Sequence, residues 1–317
     1  MSSLDFVIFG PGRSGTTAFA YSFNLHPKVF CATEFLPVKA DHSTFAMPDD
    51  LLRHHLPQVD HRRASIEMLR QKLAEGPVTF YGNKMPNYYF RLENLRRELP
   101  DLKLFYIYRS PREFVHSWDR RADTEGDRWH EGARGIFGAL EQAFCLKRIL
   151  SFPVYMVSYR ALFYRDPSLM RQVCDRLGAD PKEFNQKAFE DNLRPAEPST
   201  PADPFYDEFF SEFRFDGTDA YFDANPLSAS TDPEFRAVVE KQLASLPRPA
   251  RFAEYVQRMD APAHEYASIW RKQVRGRSDN REDPTCQWLI EYAARAERQL
   301  LAQNGQEPRT RSRMTLR

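Results

Sequence analysis

The stretch GPGRSGTT, from Gly10 to Thr17, nearly completes G-x-x-x-x-G-K-[ST], the loop that cradles nucleotide phosphates. Gly10, Gly15 and Thr17 are in register, Thr16 stands where the lysine belongs, and a cation appears instead at Arg13. Backbone N–H groups of such a turn, with the positive end of the next helix, hold an oxyanion whatever its chemistry. Gly12, Arg13, Ser14, Gly15, Thr16 and Thr17 are therefore candidate anion ligands that lack the lysine an NTPase uses on its β- and γ-phosphates. The alternative is a glycine-rich turn that binds nothing.

A second constellation lies in LFYIYRSPREFVHSW, Leu104 to Trp118. An ATP-hydrolysing protein places an acid at the end of such a strand to hold Mg²⁺. Arg109 stands there, and a guanidinium repels a metal and grips a phosphate with two prongs. Ser117 follows about two turns into the helix expected after Pro111. Taken alone, the pair could be a strand-end arginine in a surface ion pair and a solvated serine.

The elements that would position these residues alternate. A strand over Asp5 to Phe9 and a helix over Thr16 to Asn24 flank the loop. A helix around Ser65 to Ala74, a strand Val78 to Gly82, a helix around Tyr88 to Glu98 and a strand Leu102 to Tyr108 follow. Beyond Pro111 come a helix, a longer one near Gly132 to Leu150 and a strand Val154 to Tyr159. Short apolar strands alternating with helices predict an α/β fold, a parallel sheet flanked by helices on both faces.

From Leu193 to Thr231 the periodicity fails among prolines, aspartates and phenylalanines, which reads as an irregular loop region, 193–231, able to form an acceptor-side wall or lid. Helical patterns resume around Glu234 to Leu246, Ala250 to Met259, Ala263 to Lys272 and Pro284 to Leu301. The expected organisation is one domain over 1–305 and a flexible basic tail over 306–317.

With 45 Lys+Arg against 44 Asp+Glu, the formal charge of +1 gives no basic field for nucleic acid or an anionic membrane, so any anion site is local. Four scattered cysteines suggest neither zinc nor a disulfide framework and fit a reducing, cytoplasmic setting. The first ten residues lack the basic start and long apolar core of a signal peptide, and no stretch reaches membrane-spanning length. The 25 Phe and 14 Tyr are read first as core and only second as a pocket for rings.

The loop resembles the 5′-phosphosulfate loop, [KR]-S-G-T-T, of sulfotransferases that use 3′-phosphoadenosine 5′-phosphosulfate (PAPS). The R-x-P-x-x-x-x-x-S segment from Arg109 to Ser117 resembles their 3′-phosphate clamp. The resemblance is to a bacterial type close to the carbohydrate (Golgi-type) branch, and it implies a P-loop-NTPase-like sulfotransferase fold, PAPS as donor, 3′-phosphoadenosine 5′-phosphate (PAP) as product and no metal. It further implies that Arg109 and Ser117 hold the 3′-phosphate and that the acceptor is a hydroxyl of a small molecule or carbohydrate, with neither nucleic acid nor membrane as partner.

In HPKVFCATEFL, Glu34 matches the general base of the carbohydrate branch. The alternatives are a surface carboxylate or a partner for Lys39, and His42 and His116 are the fallback bases. His26, in an H-P pair, reads as a turn residue. The segment YGNKMPNYYF is similar to the K-x-P-x-Y stretch of that branch, which puts Lys84 beside Arg13 on the transferring sulfate and Tyr88 in the acceptor pocket. VYMVSYRALFYRDP is more weakly similar to the Y-E-x-L-x-x-D-P segment, with Arg160 at the acidic position. For the G-x-x-G-x-x-K stretch that closes over the cofactor, only the basic turn Arg271 to Glu282 offers itself. Two other functions fit the scaffold: a small-molecule kinase or NTPase with a degenerate loop, and a non-catalytic nucleotide-binding protein.

Overall fold

Phe6 to Phe9 are four apolar, fully buried residues in a row, the pattern of a strand covered on both faces. They form β1 (Phe6–Phe9) of the computed structural model, which describes residues 4–36, 41–53, 60–122, 135–191 and 202–259. After α1 (Thr16–Phe23) and β2 (Val29–Thr33), a short α2 (Asp49–Arg53) and a long α3 (Asp60–Glu75) lead to β3 (Phe80–Lys84). Next come α4 (Leu92–Glu98), β4 (Lys103–Tyr108), α5 (Pro111–Ala122), α6 (Gly135–Ile149) and β5 (Tyr155–Ser158). The described chain ends through α7 (Leu169–Leu177), α8 (Gln186–Asp191), α9 (Pro204–Glu212), α10 (Asp216–Ala224), β6 (Leu227–Ala229), α11 (Pro233–Ala244) and α12 (Pro249–Gln257).

The six strands lie in the order β2-β3-β1-β4-β5-β6. The first five are parallel and β6 runs antiparallel along β5. The chain leaves β1 toward β2 and β3 on one side and later crosses to β4 and β5 on the other. The loops that follow β1, β3 and β4 therefore open around a switch point, where ligands of open α/β sheets bind. Alternate strand residues sort into two cores. Val7, Phe9, Leu104 and Tyr106 face α3 to α6 and the later helices, whereas Phe6, Ile8, Phe105 and Ile107 face α1 and α7.

Most boundaries fall within two residues of those expected from the sequence, with three instructive differences. The strand expected at Val78 to Gly82 is shifted to end at Lys84, because β1 and β2 both offer it partners there, Ile8 and Thr33. The helix expected from Tyr88 begins as a tight turn over Pro86–Phe90, started by Pro86, and only then becomes α4.

The third difference corrects the irregular region 193–231. Its described part, from residue 202, forms α9, α10 and β6. The prolines and aspartates that broke the periodicity are helix starts: Asp203 accepts from the N–H groups of Phe205 and Tyr206, with Pro204 in the first turn. Residues 260–317 lie outside the described residues, and with them the helices expected at Ala263 to Lys272 and Pro284 to Leu301, the turn Arg271 to Glu282 and the tail 306–317.

Helix α10 is fastened to the end of β4. The Phe222 ring stacks on Tyr108 with centroids 4.0 Å apart, and Asp219 accepts from Tyr108 Oη at 2.5 Å and from Ser110 Oγ at 3.0 Å. Burial lifts the Asp219 carboxyl to about 6, against the downward pull of those two hydrogen bonds. A carboxyl with a raised folded pKa holds its proton more tightly when folded. Its contribution to stability is thus present in acid and fades as the pH climbs from about 4 to about 6. Asp219→Asn should remove that slope, so that the difference in unfolding free energy from the parent drifts by up to ~3 kcal/mol across this window. Urea titrations at a series of pH values measure it, and parallel profiles for the two proteins would contradict it.

Candidate active site

The loop after β1 is built from two left-handed residues, Arg13 at φ 64° and Gly15 at φ 98°. At Gly15 the sequence has no other choice, because a Cβ there would lie 2.4 Å from ring carbons of Tyr159. Arg13 adopts a conformation that costs a non-glycine residue free energy and persists where neighbours over-determine it. Those neighbours come from the second motif. Arg13 Nε donates to Ser117 Oγ at 2.9 Å, Arg109 donates to the Arg13 carbonyl at 3.2 Å, and Trp118 Nε1 donates to the Gly12 carbonyl at 2.9 Å.

The loop and the segment Arg109 to Trp118 are therefore one structure, although 104 positions separate Arg13 from Ser117. Thr16 and Thr17 open α1, Thr16 buried and Thr17 exposed. Ser14 is fully buried within the loop, and its Oγ has no hydrogen-bond partner among the described residues. A buried hydroxyl with nothing to bond carries a free-energy cost, and a ligand oxygen in the loop would remove it.

Arg109 is held on every side. Its Nε donates to Glu113 Oε2 at 3.3 Å, another nitrogen donates to the Glu113 carbonyl at 3.3 Å, and its guanidinium lies 4.5 Å above the Tyr159 ring. Among the described residues three of its five N–H groups are used, by Glu113 Oε2, the Glu113 carbonyl and the Arg13 carbonyl, which leaves two able to face an anion. Glu113 is shared with Arg160, whose Nε lies 3.0 Å from Glu113 Oε1. Asp223, 3.8 Å from Arg160 and 3.1 Å from Arg165, extends the cluster to three arginines and two carboxylates, a formal charge of +1 to which Arg13 adds.

Two strands away, Glu34 immediately follows β2 and Lys84 ends β3. The Lys84 ammonium donates to Glu34 Oε1 at 2.5 Å, and the Glu34 N–H donates to the Lys84 carbonyl at 2.7 Å. Lys84 is almost wholly buried, whereas the Glu34 side chain is 34% exposed, so the pair shows its carboxylate to solvent and hides its ammonium. Backbone bonds from Met85 N–H to the Ile8 carbonyl and from Gly10 N–H to the Pro86 carbonyl tie this pair to the anion loop.

The other sequence candidates separate clearly. His42, a fallback base, is fully buried, with Nε2 3.1 Å from Tyr88 Oη, and so does not face a substrate. Tyr88 is also fully buried, which corrects its placement in an acceptor pocket. The apolar packing of the Pro86–Phe90 turn draws its ring inward. His116 stands on α5 against the Tyr206 ring, and His26 is a turn residue, its Nδ1 accepting from the Lys28 N–H. Lys39, weighed as a partner for Glu34, lies outside the described residues.

The sequence matches the family model described as "Sulfotransferase family" over residues 5–183, more than half of the chain. The chain belongs to the sulfotransferase family. No curated protein matches it in sequence. Among solved structures it is similar to a sulfotransferase from Alicyclobacillus acidocaldarius, at 18% identity and a TM-score of 0.41 over 77% of this chain and 97% of that one. It is also similar to sulfotransferase STF9 from Mycobacterium avium (13%, 0.40, 68% and 78%) and to the sulfotransferase domain of the Synechococcus PCC 7002 olefin synthase (17%, 0.39, 78% and 96%). Superpositions this loose carry no argument about the site, and the assignment rests on the sequence match.

Three side chains of this sulfotransferase that shape the site were not picked out from sequence: Glu113, Trp118 and Tyr159. Glu113 had a legible signal, its i+4 spacing from Arg109 on a helix. Trp118 and Tyr159 had only an indirect one, since Gly12 and Gly15 are small where flat rings lie against them. Among the described residues no helix is long and apolar enough to cross a membrane. Gly15→Ala should lower stability by about 2 kcal/mol, from left-handed strain and the clash with Tyr159. Denaturant unfolding measures the loss, and an unchanged midpoint would show that the loop does not need this backbone.

Proposed function

We propose that this sulfotransferase transfers a sulfuryl group from PAPS to a hydroxyl of a small-molecule or carbohydrate acceptor. One observation carries the reading: Arg13 of the loop and Ser117 of the strand-end segment are hydrogen-bonded, so two anion-binding motifs form one surface next to an acid and an ammonium. A donor with a phosphosulfate at one end and a 3′-phosphate at the other needs two such places a nucleotide apart. The residues present fit it. The turn is held open by glycines and, among the described residues, the buried Ser14 hydroxyl lacks a partner and Arg109 keeps donors to spare.

PAPS, when bound, supplies the sulfuryl group and a phosphate that departs as part of PAP. In this reading the loop from Gly12 to Thr17 holds the 5′ end, while Arg109 and Ser117 hold the 3′-phosphate. Arg13, on the exposed side of the loop, supplies positive charge where negative charge builds on the departing oxygen, the buried Lys84 ammonium holds the Glu34 carboxylate, and that carboxylate takes the acceptor proton. An ATP-dependent kinase has less support, because the chain puts Thr16 where the phosphate-binding lysine belongs and Arg109 where a Mg²⁺-holding acid belongs.

PAP should raise the melting temperature by linkage, and ADP, without the 3′-phosphate, should do so much less. Equal shifts, or a shift that requires Mg²⁺ and ATP, would overturn the donor assignment. Arg109→Ala should weaken PAP binding about 10- to 100-fold, the worth of charged hydrogen bonds. Glu34→Gln should leave PAP affinity intact and cut turnover about 100-fold or more, measured by mass spectrometry with PAPS and a panel of acceptors. Transfer at the parent rate by Glu34→Gln would remove Glu34 as the base.

A further inference from the structure

Glu34 holds an uncommon backbone, φ 53°, directly after β2. A non-glycine residue stays there only when its surroundings fix it. The turn it begins is fixed through consecutive N–H groups. Thr33 donates to Ser65 Oγ at 3.1 Å and Glu34 to the Lys84 carbonyl at 2.7 Å, while Phe35 and Leu36 both donate to Asn83 Oδ1, at 3.2 and 3.5 Å. Asn83 is fully buried and directly precedes Lys84, so one strand end supplies both the ammonium on Glu34 and the acceptor for the two amides after it.

These bonds decide which way the Asn83 amide faces. With its oxygen committed to two N–H groups, its nitrogen must face Tyr88 Oη, to which it donates at 2.5 Å. Tyr88 Oη has a second neighbour, His42 Nε2 at 3.1 Å, and sends its own proton there. Burial pushes the Tyr88 hydroxyl pKa upward, which keeps that proton in place. An Nε2 that accepts leaves the His42 proton on Nδ1, which lies 3.4 Å from Glu98 Oε2. Glu98 is anchored in turn by Arg91 at 3.1 Å and by the His42 backbone N–H at 3.0 Å. The result is a buried chain with one donor direction, from the N–H groups after Glu34 to Asn83, from Asn83 to Tyr88 and from Tyr88 to His42, with the His42 Nδ1–H facing Glu98.

We infer that Asn83, oriented by Tyr88 and His42, is the positioning residue that holds the carboxylate of Glu34 in its working geometry. This deepens the reading of Glu34 as base and rests on it. Asn83 touches neither reacting atom. It sets the turn from which the carboxylate projects, and a misplacement of about 1 Å at a reacting group can cost about 100-fold in rate. His42, considered from sequence as a base, serves instead by directing Tyr88.

The test uses two variants of the full chain, Asn83→Leu, which removes the acceptor, and Tyr88→Phe, which keeps the Asn83 oxygen but removes its orienting hydroxyl. Each is assayed for PAP affinity, for kcat and KM with PAPS and a responsive acceptor, and for amide hydrogen exchange of the peptide spanning Thr33 to Leu36. The expected result is unchanged PAP affinity and donor KM, a kcat lowered about 100-fold in Asn83→Leu and less in Tyr88→Phe, and faster exchange in that peptide. A role confined to stability would lower the melting temperature while the folded variants turned over at the parent rate, which would overturn the inference. If Asn83→Leu does not fold, Tyr88→Phe decides by the same criteria. Should Glu34→Gln transfer at the parent rate, the base assignment fails by itself, and the exchange of the Thr33 to Leu36 peptide still reads out whether Asn83 fixes the turn.

Discussion

The hydrogen bond from Arg13 to Ser117 joins two pieces of sequence that would otherwise be separate candidate anion sites. It forms because the chain turns left-handed at Arg13 and again at Gly15, which brings the side chain of Arg13 and the carbonyls of Gly12 and Arg13 to the start of α5. Two donors from that segment, Arg109 and Trp118, and one acceptor, Ser117 Oγ, then hold the loop open from outside. What remains inside is the buried Ser14 hydroxyl, without a hydrogen-bond partner among the described residues, which a ligand oxygen would satisfy.

The second half of the site obeys the sheet rather than the loop. Because β3 lies between β2 and β1, the residue after β2 and the last residue of β3 meet as Glu34 and Lys84. The same order places the loop after β1 one strand away. Acid, ammonium and glycine-rich loop are thus neighbours by topology, and side-chain choice only refines their distances. The partly exposed carboxylate and hidden ammonium of that pair give it a direction, with the carboxylate toward solvent.

Much of this was legible in the sequence. Strands β1 and β4 are continuous apolar runs that end in the residues of interest, so the parallel sheet and the two motifs could be read together. The region around residues 202–231 was not, since its prolines and aspartates serve as helix starts there and as loop markers elsewhere, and only packing of aromatic side chains such as Phe222 on Tyr108 decides between them. Tyr88 and His42 were misplaced for a related reason. A polar tip on an aromatic ring reads as a pocket residue, but here each tip finds a buried partner, and the rings can enter the core. Asn83 carried no signal at all, because its importance comes from two backbone amides some fifty residues earlier.

The central claim, that the loop and the strand-end segment bind one nucleotide together, is tested most directly by a double-mutant cycle on PAP affinity with Arg13→Met and Ser117→Ala, measured calorimetrically. The account predicts that the two substitutions are coupled, the double variant binding PAP markedly better than the product of the single losses implies. Strict additivity, or a parent protein that does not bind PAP, would contradict it.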